Sequence, residues 1–320
     1  MKLGDTALSV TRFGLGTAPL AGLYQAVAED DALQTIDRAW DAGIRHFDTA
    51  PLYGYGLAEI RLGKALRDKP RDEFVLASKV GRLLRADAPP EPGQAFRGTP
   101  PVNPVFDFSY DGVMRSVEES LERLQLGRID ILHIHDPDDH YEQALKGAYR
   151  ALDDLRSQGL IRAVGAGMNQ AEMLARFARE GDFDCFLLAG RYTLLDQTAL
   201  KELLPLCGER DVAIIAAGVY NSGILADPAP GARYNYVRAS DTLLERARKI
   251  QAVCDSHGIP LKAAAVQFPL GHPAVSCVVV GCRSVAQLED SLAMFEVDIP
   301  AALWYDLKAE GLLHKEAPTP

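Results

Sequence analysis

The sequence predicts a closed (β/α)₈ barrel, and two observations carry that prediction. Eight apolar runs of strand length are separated by stretches of helical period. The length, 320 residues, also suits eight strand–helix units folded as one domain over 1–320. An open doubly wound sheet is the alternative arrangement of the same rhythm.

The strand runs fall at 13–17 (FGLGT), 44–48 (IRHFD), 73–77 (EFVLA), 129–134 (IDILHI), 161–165 (IRAVG), 184–188 (DCFLL), 212–216 (VAIIA) and 276–280 (SCVVV). Most are continuous rather than alternating, as expected of parallel strands covered on both faces. Ahead of the first, KLGDTALSVTRF alternates around a Gly-Asp turn and reads as a short hairpin that plugs the barrel bottom.

Between the strands, DALQTIDRAWDAG (31–43) sets Leu33, Ile36, Ala39 and Trp40 on one face and stops at Gly43. The stretches 111–127, 141–159 and 239–258 also end in glycine, the expected C-cap, with Ser240 or Asp241 as N-cap of the last. Two connections, 81–109 and 218–238, exceed simple linkers. Both follow the C-terminal ends of strands and read as functional loops.

Composition narrows the function classes. Apolar residues are 48% and charged residues 24%, ordinary for a soluble globular protein. The net charge of -10 argues against nucleic acid or an anionic membrane as partner. With no long apolar run and no leader-like start, a cytoplasmic location is expected. Cys185, Cys207, Cys254, Cys277 and Cys282 are odd in number and lack a C-x-x-C pair, so buried reduced thiols are expected and no metal site. His133 and His135 are read as facing opposite sides of one strand, with His133 structural.

Nucleotide-binding motifs fail. GLGTAP, GYGLAE and GAGMNQ each miss G-x-G-x-x-G, and AEIRLGKAL lacks the first glycine and the final Ser or Thr of a phosphate loop. Instead, the ends of successive strands carry chemistry. Asp48 ends the second strand, Tyr53 follows on its loop, Lys79 lies just past the third and His135 ends the fourth. A free phenol has a pKa of about 10, and a neighbouring cation such as Lys79 would lower it. Asp48 would hold that lysine, and His135 would orient a substrate oxygen. Gly54 and Gly56 let the loop turn back on itself.

With that quartet assembled, the chain resembles the aldo-keto reductase superfamily over nearly its whole length. The resemblance rests on GLGTAPL, HFDTAPLYGYGLAEIRLGKAL, ASKVG, SLERLQLGRIDILHIHDP and VVVGCRSVAQLEDSL. It implies a (β/α)₈ barrel, catalysis by Asp48, Tyr53, Lys79 and His135, and NAD or NADP bound without a Rossmann motif. Carried over, the cofactor would meet Asn169, the loop Gly218, Val219, Asn221, Ser222 and Gly223, and then Gly281, Arg283, Gln287 and Asp290. Met168, Ala189, Ala217 and Ser291 depart from the family pattern, with Tyr220 a substitute for the missing stacking aromatic. Gly281 and Gln287 replace positions that are basic in strongly NADP-dependent relatives. Arg283 is the one cation placed for a 2′-phosphate, which leans the cofactor toward NADP with dual use expected.

AGRYTLL and AAGVYNSGIL are similar to the branch of L-fucose, D-threo-aldose and L-galactose dehydrogenases and pyridoxal 4-dehydrogenases. That branch implies oxidation of a sugar or hemiacetal at the anomeric carbon to the lactone, with Tyr53 as base. Pro51, Leu52, Tyr55 and Tyr192 are candidate pocket residues. A generic NADPH-dependent carbonyl reductase, an aldolase using Lys79 and a cofactor-binding channel subunit are the rival readings.

Overall fold

In the computed structural model, which describes residues 1–90 and 93–320, every predicted apolar run becomes a strand. These are β1 (Phe13–Gly16), β2 (His46–Asp48), β3 (Val75–Val80), β4 (Ile131–His135), β5 (Ala163–Met168), β6 (Cys185–Ala189), β7 (Ala213–Ala217) and β8 (Val275–Gly281). All pair in parallel with their sequence neighbours, and β8 returns to β1, so the sheet closes into a barrel. The open-sheet alternative is thereby excluded. Several strands begin about two residues later than the apolar runs, because residues such as Phe74 and Ile129 lead into the sheet without joining it.

Alternation within the continuous runs divides the core in two. Phe47, Leu76, Leu132, Val164, Phe186, Ile214 and Val278 face the surrounding helices. Val75, Ala77, Ile131, Ala163, Cys185, Ile215 and Cys277 point into the barrel. Both sets are buried and apolar, which is why most of the strand runs read as continuous rather than alternating. Leu3, Leu8 and Val10 join the inner set from the N-terminal ribbon, held by Leu3 N–H to Leu8 O (3.0 Å) and Val10 N–H to Met1 O (2.8 Å). The ribbon closes the barrel bottom as expected.

Of the helices, α1 (Glu29–Asp41), α2 (Leu57–Leu66) and α3 (Tyr110–Leu124) flank the early strands. Ser240 caps Asp241–Ser256, accepting from Leu243 N–H. Helix α3 ends differently from expectation. Its left-handed cap is Gln125 (φ 52°), not Gly127, and Gln125 N–H bonds Leu121 O. The helix at 141–159 carries a π-helical turn over Ala144–Tyr149 before Arg150–Ser157, and Gly159 follows with positive φ as expected.

The long loops contain structure that their sequence hid. Residues 82–85 pair antiparallel with 103–106, and 233–234 with 237–238. The segment around Phe96 also bridges Leu23. The expectation of a long functional loop at 81–109 includes residues 91 and 92, which lie outside the described residues. All five cysteines are buried and unpaired. Among the described residues no helix is long and apolar enough to cross a membrane.

Candidate active site

Sheet register brings the quartet together. Asp48 is opposite Ala77 on β3, Lys79 is opposite His133 on β4, and His135 ends β4 opposite Gly167. Lys79 sits within β3 rather than past its end. Lys79 Nζ donates to Asp48 Oδ1 (2.7 Å), Asp48 Oδ2 (2.8 Å) and the Thr49 carbonyl (2.9 Å). Both partners are almost wholly buried, 1% and 3% exposed.

Tyr53 arrives on a loop that turns through three consecutive left-handed residues, Gly54, Tyr55 and Gly56. A Cβ on Gly54 would lie 2.5 Å from Ala21 O, so glycine is required there on both conformational and steric grounds. The result sets the Tyr53 ring 4.7 Å from Lys79 Nζ and edge-on to His135, with centroids 5.8 Å apart. Behind the loop, buried Glu59 on α2 accepts from Ser78 Oγ (2.8 Å) and from Arg123 Nε on α3 (2.7 Å). That bridge ties the Tyr53 loop to the strand that carries Lys79.

Electrostatically the site differs from the simple picture of a cation lowering a phenol. Burial pushes the Tyr53 hydroxyl well above 10; Asp48 and Asp136 add to the rise, and Arg82 pulls the other way. Lys79 is committed to the Asp48 carboxylate rather than to the phenol. Burial also raises the Asp48 carboxyl, against the pull of Lys79. His135 is held well below 6.5 by burial and by the nearby Lys79 and Arg82, and is neutral.

His133 is not on the opposite face from His135. Residues two apart on a strand share a face, and both imidazoles point into the barrel. Gly165 makes room: a Cβ there would lie 2.2 Å from His133 Nδ1. Nor is His133 satisfied, since among the described residues neither ring nitrogen has a hydrogen-bond partner. Burial, then the charge of Lys79, holds it neutral.

Two cavities open at the mouth. A groove of about 370 Å³ is lined by Asn169, Gly218, Val219, Asn221, Ser222, Gly223, Gly281 and Arg283 together with Tyr220 and Ala217. Gly218, Asn221, Ser222 and Gly223 all have positive φ. Such turns aim successive N–H groups into a concavity suited to an anion. The N–H groups of Asn221 and Gly223, though, already bond Gly218 O and Tyr220 O. Gln287 and Asp290 lie outside the groove's lining. Gln287 Oε1 accepts from Arg283 N–H (2.9 Å), and Asp290 pairs with Lys262. The lining is of a kind that suits a dinucleotide: small residues, a turn with left-handed backbone and the Arg283 guanidinium.

The second cavity, about 300 Å³, is lined by Tyr53, Lys79, His135, Asp136, Leu52 and Phe96 among others. It shares Tyr53, Asn169, Leu187, Ala189 and Tyr236 with the groove. Of the four pocket candidates read from sequence, Leu52 lines it. Pro51 and Tyr55 are buried and absent from its lining. Tyr192 packs outside the barrel against Phe268 and His272. Asp136 and Tyr236 escaped the sequence reading. For Asp136 the available signal was an acid directly after the histidine ending β4 and directly before a proline.

Comparison with known proteins gives this architecture its class. The model of the aldo/keto reductase family matches residues 12–309, and the chain belongs to that family. It is an oxidoreductase, and proteins of this family work with NAD(P)H. The chain is 43% identical to pyridoxal 4-dehydrogenase of Microbacterium luteolum, over 97% of each chain. It is also 43% identical to D-threo-aldose 1-dehydrogenase of a Pseudomonas species, over 98% of this chain and 96% of the relative. With L-galactose dehydrogenase of Arabidopsis thaliana identity is 33%, over 91% and 86%. Among solved structures, an aldo-keto reductase of Bacillus halodurans in its holo form superposes with a TM-score of 0.77 at 24% identity, covering 100% of this chain and 97% of the other. That likeness speaks to the fold.

Proposed function

We propose that the protein is an NAD(P)-dependent dehydrogenase that oxidises the anomeric carbon of a free aldose, of the L-fucose, D-arabinose or L-galactose type, to the lactone. The observation that carries the reading is the junction of the two cavities at Tyr53. A ring carbon in the smaller cavity there faces the groove beside a phenol, and the relatives named for aldose and galactose oxidation support a sugar as occupant.

Bound oxidised nicotinamide would accept the hydride from C1. The chain's own part is the proton. Tyr53, which must first release its own proton, takes it as the phenolate from the anomeric hydroxyl as the C1 carbonyl forms. His135 donates a hydrogen bond that orients the same oxygen, and Asp48 holds Lys79 against the phenol. Groups placed in this way contribute about 10² to 10⁴ in rate. Asn169, the 218–223 turn, Gly281 and Arg283 would hold the dinucleotide, with Arg283 favouring NADP modestly and NAD also used.

Pyridoxal, whose hemiacetal offers the same carbon chemistry, is the second reading, favoured by the 43% identity to a pyridoxal 4-dehydrogenase. Initial rates of cofactor reduction with L-fucose, D-arabinose, L-galactose and pyridoxal, each with NAD and NADP, test both. Turnover of a sugar that vanishes in Tyr53→Phe supports the proposal. Reduction of simple aldehydes alone, with no sugar or pyridoxal oxidised, overturns it.

A further inference from the structure

We infer that Asp136 is the residue that selects polyhydroxylated substrates, accepting hydrogen bonds from neutral ring hydroxyls in the smaller cavity. This rests on the functional reading above and adds to it the group that reads the sugar.

Four observations meet at this residue. Asp136 has φ of 44°, a left-handed conformation at a residue with a Cβ. It also precedes Pro137, and a residue before proline prefers extended backbone. The strained turn is fastened by Asp136 N–H to Gly167 O (3.1 Å), and strain of this kind collects at binding sites. What the turn achieves is to fold the carboxylate back toward His135 rather than out toward solvent.

The carboxylate is held in two long contacts at ion-pair distance rather than in hydrogen bonds. Its Oδ2 lies 3.6 Å from His135 Nε2 and 3.6 Å from Arg82 Nη2, both longer than hydrogen bonds. Among the described residues neither oxygen accepts a hydrogen bond, and its side chain is 22% exposed. Among the described residues it is the one carboxylate lining the smaller cavity, whose other walls include Leu23, Leu52, Phe96, Met168 and Leu187. Its carboxyl is pushed up to about 6 by burial, so above that pH it is an anion.

An anionic acceptor in a mainly apolar cavity discriminates in a definite way. Two adjacent hydroxyls can donate to its two oxygens, and a bond to a charged group is stronger than a neutral one. A carboxylate or phosphate on the substrate would be repelled. A hydroxyl-poor aldehyde would gain nothing from it.

The test compares wild type with Asp136→Asn and Asp136→Gly, the second chosen because glycine adopts the left-handed turn freely. Each is assayed for oxidation of L-fucose, D-arabinose and L-galactose and for reduction of 4-nitrobenzaldehyde. The expected result is a fall of about 10- to 100-fold in kcat/KM for the sugar, mainly through KM, and a preference for sugar over aldehyde lowered by about tenfold or more, whatever common change both reactions share through Tyr53 and His135. A deoxy analogue lacking the bonded hydroxyl should show the loss in wild type and little further loss in Asp136→Asn. Equal falls on sugar and aldehyde, or no fall on sugar, overturn the inference while leaving sugar oxidation standing. A wild type that reduces the aldehyde and oxidises no sugar overturns the proposed function, and this inference falls with it.

Discussion

Lys79 and Asp48 form a bidentate ion pair at the centre of the barrel, Nζ to the two carboxylate oxygens at 2.7 and 2.8 Å, almost fully removed from water. Breaking such a pair from one side leaves a bare buried charge. Lys79→Met is expected to abolish turnover and to destabilise the fold by about 3–5 kcal/mol. Adding Asp48→Asn should restore most of that stability and none of the activity. Denaturant unfolding of the two variants checks this; equal stability of single and double variants would contradict it.

The interior histidines predict an acid-sensitive fold. Burial, with Lys79 adding, lowers His46 to about 4. A histidine whose folded pKa is depressed stabilises the native state fully above its unfolded value of about 6.5 and loses that contribution as pH falls from there toward the folded value. For His46 the loss amounts to about 2–3 kcal/mol by pH 4.5, roughly 1.4 kcal/mol per unit. His46→Asn should therefore flatten the stability profile below pH 6.5 by about that much relative to wild type. Parallel profiles would show that His46 does not titrate with unfolding.

Asp136 should behave with the opposite sign. Its carboxyl is raised to about 6, so ionisation in the fold is disfavoured and the ionised group destabilises the native state above that pH. Asp136→Asn is expected to be more stable than wild type by about 1–3 kcal/mol at pH 8, after allowance for partial exposure, and no more stable at pH 4. Thermal unfolding at the two pH values decides it.

Arg283 lines the groove. Arg283→Gln is expected to lower kcat/KM with NADP by about tenfold or more and to leave NAD within about twofold, since only the first carries a phosphate to pair. Equal changes for both cofactors would place the 2′ position elsewhere.

Much of this was legible in the sequence because parallel strands buried on both faces write themselves as unbroken apolar runs, and Asp48, Tyr53, Lys79 and His135 follow from strand ends. What stayed hidden depended on contacts. The ribbon pairing 82–85 with 103–106 has no adjacent turn to announce it. Helix α3 stops at Gln125, two residues before the glycine, as Gly127 does not adopt positive φ. Asp136 was signalled only by its place between the histidine ending β4 and a proline; its left-handed turn was not. His133 was misplaced by faulty alternation, and its room inside the barrel depends on Gly165, a residue 32 positions away whose missing side chain has no signal of its own.

The N-terminal ribbon makes the barrel a dead end. With Leu3, Leu8 and Val10 packed against Val75, Ala77 and Ile131, the imidazoles of His46 and His133 and the ammonium of Lys79 can trade hydrogens with bulk water only through the mouth that ligands also use. Anything seated in that mouth is a stopper, and it should slow isotope exchange at groups it never touches.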